Sequence, residues 1–192
     1  MQSTVPHATL QTRVRVSNPE MENPFEWRAV STEDVCAGRR IAIFAVPAAF
    51  SPTCSDEHLP GFEKLYSEIR AHGIDEVYCL SVNDAFVMFQ WAKALNVKNV
   101  KMLPDGNGEF TRKMGMLVEY TEDGMGLRSW RYAMVVNDGQ IECMLSEPGF
   151  GDNAPDAPMT ASDAVSLLSW LKTNQEDSDT SAESWKVSYS VE

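Results

Sequence analysis

The hexamer Ile41-Ala42-Ile43-Phe44-Ala45-Val46 is the stretch that most restricts what this chain can become. Six apolar residues without alternation fit a strand covered on both faces, which places it in the interior of a sheet with a layer on each side. Even extended to Phe50 the run falls short of the roughly 20 apolar residues that cross a bilayer. It is followed by the turn pair Ser51-Pro52 and then by Leu59, Phe62, Tyr66 and Ile69, spaced along one helical face with Leu65 beside them and closed by Gly73. Pro60 predicts a kink near the start of that helix. A second buried strand over Glu76 to Val82 and a second helix over Phe86 to Leu95 repeat the pattern. Strand, helix, strand, helix implies parallel pairing through right-handed crossovers, an α/β fold.

Two later runs, Arg128 to Val136 and Gln140 to Leu145, are joined through Asn137-Asp138-Gly139, and Asp-Gly between such runs predicts an antiparallel hairpin added to the sheet. Thr160 and Asp163 have the spacing of a capping box, after which Ala164, Leu167, Leu168 and Leu171 fall on one helical face. At the other end, Thr12 to Val16 alternates as a strand wet on one side, Phe25 to Val30 forms a second short strand, and Ser31-Thr32-Glu33-Asp34 marks a turn or helix entry. The expected organisation is a flexible N-terminus over 1–11, one domain over 12–172 opened by an N-terminal β-ribbon, and an acidic disordered tail over 173–192.

The chain carries 16 basic and 28 acidic residues, a net charge of −12, so a polyanion would be repelled and nucleic acid is excluded as a partner. No N-terminal segment combines a basic start with an apolar core, which leaves a cytoplasmic, non-membrane protein as the expectation. Cys36, Cys54, Cys79 and Cys143 form no CxxC pair and no Cys/His metal spacing. In a reducing compartment, isolated cysteines are usually core residues.

Cys54 is the exception. The central strand ends in Pro47-Ala-Ala-Phe-Ser51-Pro-Thr-Cys54 with a helix starting at about Thr53, so Cys54 sits in a first turn, where unpaired backbone N–H groups and the helix dipole favour thiolate. The carboxyl end of a central strand is also where open α/β sheets place a ligand crevice. Ser51 can offer a hydroxyl to the sulfur or to a substrate oxygen, and Pro47 and Pro52 stiffen the loop. Glu57 occupies the position where a disulfide oxidoreductase would carry its second cysteine.

The segment Pro47 to Cys54 resembles the peroxiredoxin motif Pro-x-x-x-Thr/Ser-x-x-Cys. Its continuation Ser55-Asp-Glu-His58-Leu-Pro-Gly-Phe62, with the blocks Cys79-Leu-Ser-Val-Asn-Asp-Ala-Phe86 and Arg128-Ser-Trp-Arg-Tyr-Ala-Met134, is similar to the peroxiredoxin 5 (type II) branch. The resemblance covers about residues 13–171. It implies a thioredoxin-like central mixed β-sheet flanked by helices, and a peroxidase that reduces hydrogen peroxide and alkyl hydroperoxides through a sulfenic acid on Cys54. It further implies Ser51 as the motif hydroxyl, Pro47 as the shielding proline and Arg131 as the catalytic arginine, with no metal or organic cofactor.

The residue pattern agrees on Arg131, because Trp130, Tyr132 and Met134 alternate against it and place it on the other face of a strand; Arg128 is the alternate. The loop from Glu147 to Met159 holds no resolving cysteine. Relatives with an internal resolving cysteine carry it there, so the expectation is a one-cysteine cycle with glutathione, glutaredoxin or thioredoxin as reductant, with Cys36, Cys79 and Cys143 as minor candidates for resolving; the resemblance also implies a homodimer. His58, one helical turn after Cys54, reads as support for the loop and helix start. The rival readings are a thioredoxin-fold thiol sensor or transfer protein, a non-catalytic holdase, and a cysteine hydrolase. The last is disfavoured because His7, His58 and His72 lack an evident Asn or Asp orienter.

Overall fold

The structure is a computed structural model that describes residues 3–16, 25–154 and 158–184, the last ten of these as backbone only. The apolar hexamer forms β3 (Arg40–Ala45), the middle strand of a five-stranded sheet of order β5-β4-β3-β8-β9. β4 (Glu76–Ser81) and β5 (Lys101–Pro104) extend it in parallel on one side, while β8 (Tyr132–Asn137) and β9 (Gln140–Ser146) extend it antiparallel on the other. The hairpin between β8 and β9 turns on Asp138 and Gly139, both at positive φ (46° and 78°), as a two-residue primed turn requires.

Each face of the sheet buries its own core. Ala42 and Phe44 of β3, with Ala133 and Val135 of β8, pack under α2 (Leu59–Ala71), α3 (Ala85–Ala94) and α5 (Ala164–Ser184). Ile41, Ile43, Met134 and Val136 point the other way, against Val35 of α1 (Thr32–Cys36), Phe110 of α4 (Glu109–Lys113) and Leu10 of β1 (Thr9–Arg15). β1 pairs antiparallel with β2 (Phe25–Ser31) as the N-terminal ribbon. Ser31 caps α1 in a reciprocal capping box with Asp34.

Several expectations need correction. The N-terminal segment is held from Ser3 onward: Ile141 N–H donates to Ser3 O (2.8 Å), Val5 N–H donates to Gly139 O (2.9 Å), and Ala8 and Leu10 are buried. At the other end, α5 is helical through Ser184, twelve residues into the segment read as a disordered tail. No Gly or Pro interrupts it, and a helix nucleated by the packed turns from Ala164 to Leu171 can propagate through polar residues. Residues 185–192 lie outside the described residues.

The run from Arg128 to Val136 is two strands. β7 (Gly126–Ser129) pairs with β6 (Leu117–Tyr120), and the chain then breaks at Trp130 and Arg131 before entering the central sheet as β8. Trp130 N–H donates to Met116 O (2.7 Å), on the β6 side, whereas Arg131 O accepts from Glu147 N–H (3.2 Å), on the β9 side. The two residues thus straddle a change of strand partner. The expected box of Thr160 and Asp163 is also absent: Asp163 alone caps α5, accepting from Val165 N–H (2.8 Å) and Ser166 N–H (3.0 Å), and Thr160 serves a different carboxylate.

Candidate active site

Beyond β3 the chain passes the buried Pro47 and turns through Phe50, whose φ of 64° lies in the left-handed region that bulky residues rarely adopt. Asn83, just after β4, holds this loop by accepting from Ala49 N–H (3.1 Å) and from the Ser81 hydroxyl (2.8 Å). Ser51 donates its hydroxyl to Ala48 O (2.9 Å), and its own carbonyl accepts Ser55 N–H (2.9 Å), the first bond of the helix. The N–H groups of Thr53 and Cys54 precede any intrahelical acceptor, the usual condition of a first helical turn.

The expected kink takes a particular form. Cys54–His58 is a π-helical turn that leads into α2, with Leu59 N–H reaching back five residues to Cys54 O. Pro60 has no N–H to bond a carbonyl of the preceding turn, which removes one bond that would hold the α register there. The wide turn keeps Cys54 and His58 both inside the protein, at 0% and 1% exposure. Trp91 of α3 donates its indole N–H to the Ser55 hydroxyl between them (3.0 Å).

Arg131 is buried at 2% exposure, and its Nη1–H donates to Nδ1 of His58 (3.0 Å). On the other edge of the ring, Nε2–H of His58 donates to the Ser162 carbonyl (2.9 Å). A carbonyl only accepts and a guanidinium only donates, so His58 is neutral with its proton on Nε2. Burial first, and then the Arg131 charge, push the His58 pKa down to about 4 against the weaker pull of Ser162, Glu147 and Asp163. The ring is also clamped by Phe44 and Phe62, which stack on each other at 3.9 Å and lie 5.0 and 5.5 Å from it.

The alternation argument for Arg131 holds at the level of faces, since Ala133 and Val135, of the same parity, lie in the core cluster that contains Cys54. Arg128 is directed elsewhere and donates to the Val82 carbonyl. His58 links the Cys54 helix to Arg131 and to the entry of α5, and none of its hydrogen bonds among the described residues goes to the loop before Cys54. Arg131 Nε has no hydrogen-bond partner among the described residues.

Three participants escaped the sequence reading. Glu147, directly after β9, is 2% exposed and its carboxylate gathers the donors of Thr160, Ala161 and Ser162. Burial works to raise the Glu147 pKa, yet these hydrogen bonds hold it below the usual carboxylate value. Ser162 supplies the carbonyl for His58. Tyr120, at the end of β6, is buried; burial raises its pKa, the Arg131 charge opposes that, and Cys54 adds to it, which sets the phenol near both. No local sequence pattern announces any of the three.

All four cysteines are free and buried. Cys79 shares the Cys54 cluster, and burial, followed by the charge of Cys54, holds its pKa well above the ordinary value. Burial raises Cys36 and Cys143 to about 11 each.

A cysteine at the first turn of the helix that follows the central strand, on a mixed sheet covered by helices, is the layout of thiol redox proteins with the thioredoxin-like fold. The family model described as Redoxin matches residues 20–157, and the chain belongs to that family. It is 54% identical to a peroxiredoxin of Synechocystis sp. over 168 residues, 88% of this chain and 89% of that one. Its structure superposes on that of a Plasmodium falciparum antioxidant protein described as a 1-Cys peroxiredoxin, with a TM-score of 0.82 and 29% identity, covering 88% of this chain and 98% of the other. Peroxiredoxin 5 of Alvinella pompejana gives a TM-score of 0.68 at 26% identity, covering 88% and 96%. The chain is a peroxiredoxin, a thiol-dependent peroxidase.

Proposed function

We propose that Cys54 carries the peroxidase reaction in a one-cysteine cycle, with Arg131, Ser51 and Pro47 as its active-site partners. The Cys54 thiolate attacks one peroxide oxygen, an S–O bond forms as the O–O bond breaks, and the electron pair leaves with the second oxygen, which takes a proton to become water or an alcohol. Cys54 is thereby oxidised to the sulfenic acid. The observation that carries this reading is the Arg131 guanidinium held by His58, one helical turn from Cys54 and buried with it. A fixed cation inside a dry site stabilises both the thiolate and the departing oxygen. Ser51, whose hydroxyl proton goes to Ala48 O, offers its oxygen to substrate as an acceptor, and Pro47 excludes water above the sulfur.

The absence of a cysteine between Glu147 and Met159, and the raised pKa values of Cys36, Cys79 and Cys143, favour a thiol from outside as the reductant. Glutathione, glutaredoxin or thioredoxin fits that need. The thiol attacks the sulfenic sulfur, releases water and leaves a mixed disulfide that a second thiol resolves. Cys54 is fully buried, so a thiol reaches it only when the π-helical turn moves aside. A cytoplasmic homodimer is part of the same reading. The patch of Phe25, Trp27, Phe86 and Phe89, three of them half exposed, offers apolar surface for a second copy.

The test is rapid mixing of the reduced protein with one equivalent of hydrogen peroxide, followed by mass spectrometry with a sulfenic-acid trap. Fast consumption with one adduct, on Cys54, is expected. A disulfide between Cys54 and another cysteine of this chain would replace the one-cysteine cycle, and oxidation scattered over several residues would remove Cys54 from its role.

A further inference from the structure

The Glu147 carboxylate is buried and engaged by hydrogen bonds on both oxygens. Its Oε1 accepts from the N–H of Thr160 (3.1 Å), Ala161 (3.0 Å) and Ser162 (2.8 Å) and from the Ser162 hydroxyl (2.7 Å), and its Oε2 accepts from the Thr160 N–H and hydroxyl (3.0 Å each). Three successive backbone N–H groups thus converge on one buried anion. The backbone of Glu147 faces the opposite way, its N–H donating to Arg131 O (3.2 Å) and its carbonyl accepting the Trp130 indole N–H (3.0 Å).

These bonds close a ring. Glu147 is bound to the main chain of Arg131 on one side and to Ser162 on the other; Ser162 O receives His58 Nε2–H, and His58 Nδ1 receives the Arg131 guanidinium. Every link has a fixed direction, because the carboxylate and the Ser162 carbonyl can only accept and the guanidinium can only donate. The Ser162 carbonyl and the Arg131 guanidinium together decide which ring nitrogen of His58 keeps the proton, and the geometry of that pair fixes where Arg131 Nη1 rests. A buried carboxylate is costly where apolar packing would serve, and its best-attested use is to specify one geometry.

We propose that Glu147 is a positioning residue of the peroxidase site, fixing the His58 tautomer through Ser162 and by that route the Arg131 guanidinium. This rests on the catalytic reading of Arg131 given above. Glu147 acts at a distance: through the Ser162 carbonyl and the His58 ring it sets the position of the Arg131 guanidinium, the group assigned to the chemistry. In Glu147→Gln the carboxamide keeps the volume, but its NH2 group meets donors and drops part of the cradle. The Ser162 carbonyl is then loosely held, His58 samples both tautomers, and Arg131 loses its single rest position.

The expected result for Glu147→Gln is a fall of about tenfold in the rate of peroxide reduction, the usual scale for loss of an orienting partner. Ser162→Ala, which removes one donor and keeps the carbonyl, should fall less and in the same direction. A purely structural role would also slow the enzyme, so two further readouts separate the cases. Long-range 1H–15N spectra should show His58 protonated at Nε2 in the parent and averaged between the nitrogens in Glu147→Gln. The rate loss should also be absent when Glu147→Gln is made in a His58→Gln background.

An unchanged His58 tautomer, or an equal loss in both backgrounds, would overturn the proposal. Arg131→Ala is the control for the reading beneath it. If that variant keeps the full rate, the role of Arg131 falls, while the His58 spectrum still decides whether Glu147 sets the tautomer.

Discussion

Nη1 of Arg131 and Nδ1 of His58 lie 3.0 Å apart, and that contact exists only while His58 is neutral. A protonated ring would present N–H to N–H beside a guanidinium. Arg131, Glu147 and Asp163 are the charged groups that act on this ring, and with burial they leave its pKa at about 4.

The first prediction concerns acid stability. An unfolded histidine titrates near 6.5, whereas the native His58 resists a proton until about pH 4. Between these values the unfolded chain binds more protons than the native one, so stability is complete above about 6.5 and declines as pH falls toward 4. Near the middle of that window the slope approaches about 1.4 kcal/mol per pH unit for this one group. Urea midpoints taken from pH 6.5 down to about 5 should fall for the parent protein and stay nearly level for His58→Gln. Parallel curves for the two proteins would show that His58 does not control the slope.

The second concerns Arg131 itself. Replacing it by Ala removes a buried cation that His58 holds, and should slow peroxide consumption at least roughly tenfold. Lys retains the charge but loses the planar fork that meets His58 Nδ1 through Nη1 and keeps a further buried N–H at Nε, so Arg131→Lys should recover only part of the loss. Stopped-flow mixing under single-turnover conditions reads both variants. A full rate in Arg131→Ala would take the arginine out of the chemistry.

A third follows from the other thiols. Cys79 adjoins Cys54 in the core, yet its pKa is held well above the ordinary thiol value, and Cys36 and Cys143 stand near 11. All three are thiols at neutral pH and poor nucleophiles. Cys36→Ser, Cys79→Ala and Cys143→Ala, made singly, should each turn over peroxide with a small thiol at a rate within about twofold of the parent. A large loss in Cys79→Ala with the fold intact would mark it as the resolving residue.

What the sequence made legible here is what it stores locally. The apolar hexamer, the Pro47 to Cys54 turn and the helix after it lie within about thirty residues, and their order alone places Cys54 at the end of the central strand. Arg131 was legible through alternation, since its parity with Ala133 and Val135 survives the break between β7 and β8. The partners of Arg131 were not. His58 meets Ser162 across 104 residues and Arg131 across 73, and Glu147 meets Thr160 and Ser162 across a loop with no periodicity to read. β5 and α4 were missed for a related reason. They are four and five residues long, and α4 is entered through the buried carboxylate of Asp105, which accepts from Phe110 and Thr111, a cap that looks like any loop acid in the sequence.

The last prediction separates the two acids that meet at the entry of α5. Asp163 accepts from Val165 N–H, Ser166 N–H and the Ser166 hydroxyl, the geometry of an ordinary helix N-cap. Asp163→Ala should therefore cost about 1 kcal/mol of stability, the usual scale for a lost cap. The Ser162 carbonyl stays in place in that variant, because its residue is held from the other side by Glu147 through N–H and hydroxyl contacts of 2.8 and 2.7 Å. Peroxide reduction should then remain near the parent rate although the protein melts at a lower temperature. Thr160→Ala should behave oppositely: Thr160 does not cap the helix and its hydroxyl feeds the Glu147 carboxylate (3.0 Å), so activity should fall by more than its loss of stability accounts for. Denaturation midpoints and single-turnover rates measured on the same two preparations decide the matter. If Asp163→Ala slowed the enzyme and Thr160→Ala did not, the helix cap rather than the carboxylate would be what holds His58 in place.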